Sequence, residues 1–170
     1  MAKIEKEYEI CYAHRLLNHK GKCNRLHGHN ARIKVTLEGP VVKDSSRSDD
    51  GMLMDFENID HGVGTWLNAN LDHRTILEVG DPIINALVDC GDSLSLVIID
   101  MPPTAELLAA FIHNHIVGWL NLYKTEFTAS VTFWETPKAC AIVDNSSDYF
   151  SVPVTFLENE LGKKEYVSSE

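Results

Sequence analysis

The sequence predicts an α+β fold, a four-stranded antiparallel sheet with helices packed on one face. Two stretches near the N-terminus and two toward the C-terminus alternate apolar and polar residues with the period of a strand. Segments with helical spacing lie between them. Consecutive strands at each end read as hairpins, which pair antiparallel.

Ile4 to His14 places Tyr8, Ile10, Tyr12 and His14 on one face and Glu5, Glu7 and Glu9 on the other. Leu16 to Arg25 reads as a loop. His27 to Leu37 is a second strand, with Ala31, Ile33, Val35 and Leu37 sharing a face. Gly39 to Gly51 is a polar turn region. Asp55 is a credible N-cap for a helix carrying Phe56, Ile59, Val63, Trp66 and Leu67, which Gly62 and Gly64 weaken. Pro82 to Cys90 reads as a short helix and "LSLVIID" as a buried strand. Thr104 caps a long amphipathic helix with Leu107, Leu108, Phe111, Ile112, Ile116 and Leu120. Phe127 to Glu135 alternates strictly, and "ACAIV" follows a turn at Thr136 to Lys138. One domain over 1–144 is expected, followed by a polar, loosely held extension over 145–170. A sheet of this kind leaves edges exposed, which favours oligomerisation by strand pairing.

The chain of 170 residues carries a net charge of -10. That balance argues against general nucleic-acid or anionic-membrane binding. No apolar run approaches the roughly 20 residues needed to span a bilayer. "MAKIEKEYEI" has no apolar core of a secretory signal. Cys11, Cys23, Cys90 and Cys140 are scattered, as reduced thiols would be. A cytoplasmic location is expected.

Charge is unevenly distributed. Ile10 to Leu37 contains no Asp or Glu, yet holds Arg15, Lys20, Lys22, Arg25, Arg32 and Lys34. Arg32 and Lys34 read as a solvated strand face. Lys20, Lys22 and Arg25 fit a site for an anionic substrate as well as they fit a solvated loop.

The stretch "KCNRLHGHN" holds three potential metal ligands, Cys23, His27 and His29. His27 and His29 point to one face of a strand, and a hairpin brings His14 alongside. Three histidines with an open position are the arrangement of a catalytic zinc site. Spacing leaves two alternatives open: plain surface histidines, or Cys23 as fourth ligand of a closed structural site. Asp72 and His73 are adjacent in "NLDHRTIL". A carboxylate can orient an imidazole for acid–base work, although such a pair alone is more often a turn or cap. Glu135 continues an apolar strand face, where a carboxylate needs partners. It suits a base elsewhere in the fold or a ring edge with two N–H donors. Thr104 is explained mostly by capping, and Glu106 by the acid favoured in a first helical turn.

Together, "YAHRL", "GKCNRLHGHN", "GMLMDF", "LDHRTIL", "PTAELLAAFI" and "VTFWET" resemble the 6-pyruvoyl-tetrahydropterin synthase family from about Tyr8 to Val143. Within it, the chain looks most like the bacterial 6-carboxy-5,6,7,8-tetrahydropterin synthase branch, of queuosine biosynthesis. The resemblance implies the tunnelling fold, with sheets from three subunits forming a barrel and two trimers forming a hexamer. It implies Zn2+ held by His14, His27 and His29, with Cys23 as proton-abstracting base and Asp72–His73 as relay pair. It makes Glu135 the anchor of a pterin ring, assisted by Thr104, in sites between subunits. The implied reaction is a lyase step on 7,8-dihydroneopterin triphosphate, releasing triphosphate and acetaldehyde. The basic loop with His19, Lys20, Lys22 and Arg25 is a reasonable place for the triphosphate. Alternatives are the pyruvoyl branch, which eliminates triphosphate without side-chain cleavage, and a non-catalytic zinc-stabilised pterin-binding protein.

Overall fold

The computed structural model describes residues 1–123 and 126–147. Along the chain come β1 (Ala2–His14), β2 (His27–Gly39), α1 (Phe56–Ile59), α2 (Thr65–Asn70) and β3 (Arg74–Glu78). Then follow α3 (Ile83–Asp89), β4 (Leu96–Ile99), α4 (Ala105–Leu120), β5 (Thr128–Thr136) and β6 (Ala139–Asp144). Most of the expected extension, from 148 onward, lies outside the described residues. No described helix is long and apolar enough to cross a membrane.

The sheet has six strands in the order β4-β3-β1-β2-β5-β6. The expected four antiparallel strands are present as β1, β2, β5 and β6. The expectation is corrected by β3 and β4, which extend the array parallel to β1 and make the sheet mixed. β3 escapes pattern reading because its neighbours Ile76 and Leu77 are both fully buried. A strand covered on both sides shows no apolar–polar alternation. Ile76 joins Val97 and Ile99 in the main core, while Leu77 joins Leu96, Ile98 and Ile84 of α3 in a second cluster.

β1 and β2 pair over their whole length, from Ala2 opposite Gly39 to His14 opposite His27. Their inward residues Ile10, Tyr12, Ile33, Val35 and Leu37 meet Leu108, Ile112 and Ile116 of α4 and Val131 and Phe133 of β5. Full burial of such side chains contributes about 1.5–3 kcal/mol each. The outward face stays polar. Lys34 lies 3.2 Å from Glu5 and Arg32 lies 3.8 Å from Glu7, as a solvated strand face requires.

The N-terminus of α4 forms as expected, with Thr104 Oγ1 accepting from Leu107 N–H at 3.3 Å. Asp55 likewise caps α1, accepting from Glu57 N–H at 2.9 Å. Between α1 and α2 the backbone widens into a π-helical turn, Asp60–Gly64. Gly62 is needed there, because a Cβ would collide with the Trp119 ring of α4. The freed Gly62 carbonyl accepts from His115 Nε2 at 2.9 Å.

Candidate functional site

The β1–β2 register builds a histidine cluster. His14, the last residue of β1, faces His27 directly, and Tyr12 faces His29. The inward pleat carries all three imidazoles to one place, with ring centroids 4.6, 5.0 and 5.2 Å apart. One ligand atom from each lies within 4.8 Å of the others.

Two backbone carbonyls orient these rings. His14 Nδ1 donates to Pro103 O and His27 Nδ1 donates to Arg25 O, each at 2.7 Å. A donor at Nδ1 leaves the Nε2 lone pair free, the form that binds a metal. Nε2 of His14 and of His29 are buried without a hydrogen-bond partner. Buried polar atoms are almost always satisfied. Two buried imidazole nitrogens without a partner, within one three-histidine group, fit a cation between them. Burial also lowers the pKa of His14, which the Pro103 carbonyl and Glu135 only partly oppose. It lowers that of His29 too, against the pull of Glu135. Both shifts favour the neutral imidazole, the form that binds a metal.

Glu135, from the last turn of alternation in β5, closes the site from the side. Its Oε1 stands 3.5 Å from His14 Nε2 and 3.8 Å from His29 Nε2. The Tyr12 hydroxyl donates to the same oxygen at 3.5 Å. Burial, followed by the neighbouring carboxylate, pushes the Tyr12 pKa well above its usual value, so the phenol remains a donor.

Cys23 is half-buried in the helical turn Lys22–Asn24 and is not part of the metal-ligand group. It lines a cavity of about 240 Å³ with His14, Thr104, Glu106 and Glu135. One chain thus brings together the cysteine, a histidine of the cluster, the helix-capping threonine and two carboxylates. His19, Lys20, Lys22 and Arg25 are exposed on the surrounding loop.

Asp72 and His73 form the expected pair, Asp72 Oδ2 to His73 Nδ1 at 2.9 Å. Asp72 Oδ1 also accepts from Cys11 N–H at 2.8 Å. Burial alone would raise the Asp72 pKa, but these donors bring it below the usual range. His73 has φ +56°, the one positive value for a non-glycine among the described residues. Such backbone strain is tolerated where a side chain must be aimed. The His73 side chain is 80% exposed, and neither residue lines the Cys23 cavity.

Sequence reasoning missed Tyr12 and Glu106 as parts of this site. Tyr12 lies two residues before His14 on the same strand face, a signal that was available. Glu106 sits two residues after the cap Thr104, so the first turn of α4 lays its side chain along the cavity wall. Nothing in the sequence flagged the carbonyls of Pro103 and Arg25.

Comparison with known proteins identifies the family. The family described as 6-pyruvoyl tetrahydropterin synthase matches residues 3–146. A Synechocystis protein named 6-carboxy-5,6,7,8-tetrahydropterin synthase is 34% identical over 131 residues, 76% of this chain and 87% of the relative. A Haemophilus influenzae protein of the same name is 30% identical over 139 residues, 81% and 94% of the two chains. The crystal structure of 6-pyruvoyl tetrahydropterin synthase from Plasmodium vivax superposes with a TM-score of 0.65 at 24% identity, covering 84% of this chain and 96% of that one. This last likeness concerns the fold alone. On the match over residues 3–146 and these relatives, the chain belongs to the 6-pyruvoyl tetrahydropterin synthase family, a family of lyases.

Proposed function

We propose that this chain is a zinc-dependent lyase acting on 7,8-dihydroneopterin triphosphate. With water, the products are 6-carboxy-5,6,7,8-tetrahydropterin, triphosphate and acetaldehyde. The observation that carries the reading is the position of Cys23. It shares a cavity with His14, Thr104 and Glu135 yet stays outside the three-histidine group. A thiol that is not a ligand is free to act as a base beside the metal.

His14, His27 and His29 would hold the zinc, leaving one position open. When bound, zinc supplies Lewis acidity to the side-chain oxygens of the substrate. Cys23, as thiolate, removes a proton from the substrate side chain. Glu135 and Thr104 hold the pterin ring, the carboxylate accepting from two adjacent ring N–H donors. Glu106, on the same wall, is a second acceptor for that edge. The basic loop with His19, Lys20, Lys22 and Arg25 receives the triphosphate. Asp72 orients His73, which relays protons.

The relay pair lies apart from the Cys23 cavity within one chain. The reading therefore includes a homo-oligomer, a hexamer built as a dimer of trimers, whose barrel of paired sheets sets His73 of one subunit at the cavity of another. Cytoplasmic location and a role in queuosine biosynthesis belong to the same proposal.

The relatives named 6-carboxy-5,6,7,8-tetrahydropterin synthase favour the carboxy branch. So does the short gap of Asn24, Arg25 and Leu26 between Cys23 and His27. Incubation with dihydroneopterin triphosphate followed by mass analysis tests this. A carboxy product with acetaldehyde supports it. A product retaining all three side-chain carbons would assign the pyruvoyl branch instead.

A further inference from the structure

The loop that presents Cys23 is held by a network that the proposed chemistry does not itself use. Asp81 is buried, with a fully covered side chain. Its carboxylate takes a two-pronged contact from Arg15, Nε to Oδ2 and Nη2 to Oδ1, each at 2.6 Å. Oδ1 also accepts from Ile83 N–H at 2.9 Å, which ties the pair to the start of α3. The third nitrogen of the fork, Arg15 Nη1, reaches the main-chain carbonyl of Asn24 at 3.5 Å. Arg15 follows His14 directly, and Asn24 follows Cys23 directly.

The same loop is closed from within. Leu16 N–H donates to Cys23 O at 2.8 Å. The Asn24 side-chain amide donates to the carbonyls of Leu17 and Leu16. The chain at Cys23 and Asn24 is therefore fixed to residues just beyond His14. His19, Lys20 and Lys22 remain exposed on the outer part of the loop. A bidentate Arg–carboxylate pair out of solvent fixes geometry, because a guanidinium fork accepts one orientation.

We propose that Asp81, Arg15 and Asn24 form a positioning clamp that sets the Cys23 thiol against the histidine cluster. The clamp rests on the reading of Cys23 given above. Asp81 and Arg15 touch neither the cavity nor the ligand atoms, so they act through the loop. A misplacement of about 1 Å at a reacting group can cost on the order of 100-fold in rate.

The test uses the full-length, metal-loaded protein and the variants Asp81→Asn and Asn24→Ala. Both are expected to keep the wild-type metal content and a KM close to wild type, while kcat falls roughly 10- to 100-fold. Iodoacetamide labelling, read peptide by peptide, is expected to modify Cys23 severalfold faster than in wild type, with Cys90 and Cys140 unchanged. Arg15→Lys keeps the charge but loses the fork, and is expected to speed Cys23 labelling without loss of metal. An unchanged labelling rate at Cys23 in both Asp81→Asn and Asn24→Ala overturns the clamp. If Asp81→Asn fails to fold, Arg15→Lys decides, since it breaks the fork while keeping the charge beside Asp81. A wild-type protein without turnover on the pterin triphosphate defeats the functional reading alone, and the labelling rates still judge the clamp.

Discussion

Oε1 of Glu135 lies 3.5 Å from Nε2 of His14, although the two are 121 positions apart in the chain (135 − 14). The β1–β2–β5 ladder creates this proximity, with Arg32 to Glu38 of β2 paired to Trp134 to Thr128 of β5. The carboxylate therefore borders both the histidine cluster and the cavity that holds Cys23.

Glu135→Gln is expected to weaken binding of a pterin product while leaving fold and metal intact. Loss of a charge-assisted pair to the ring edge costs about 1.5–3 kcal/mol, or on the order of 10- to 100-fold in affinity. Titration of the pterin into metal-loaded wild type and variant measures it. Equal affinities would make Glu135 a structural residue held by Tyr12.

His27→Ala and His29→Ala are each expected to lose metal on purification and to unfold at lower temperature, because metal binding is linked to folding. Metal analysis with thermal melts provides the check. Wild-type stoichiometry in both variants would reject these ligands.

The metal-free protein is expected to lose stability as pH falls below about 6.5, the ordinary imidazole value from which burial lowers His14 and His29. In that window the unfolded chain takes up protons that the folded chain refuses, so stability rises with pH. Denaturant melts of apo-protein across the range read the slope. A flat profile, or stability that increases toward acid, would contradict it. His14→Phe removes one such group and is expected to flatten the slope.

Much of the site was legible because strand periodicity is local. Tyr12, His14, His27 and His29 sit on their faces by counting in twos, and the hairpin follows from one loop. The cap at Thr104 was legible for the same reason. Contacts set by long-range packing were not. Ile76 and Leu77 are buried on opposite sides of β3, so that strand lacked its signature; "LSLVIID" was legible as a strand, β4, but its parallel place in the sheet was not. Arg15 read as one more cation of a basic stretch. Its partner Asp81 lies 66 residues away, just past β3, and the parallel pairing of β3 with the end of β1 brings the two together.

Cys23→Ala separates a base from a ligand. The metal-loaded variant is expected to lose turnover while the three histidines keep their ion. The most direct measurement is the metal-to-protein ratio of purified Cys23→Ala. The expected ratio equals that of wild type. A variant that emerges without metal would make Cys23 a ligand and contradict its role as the base.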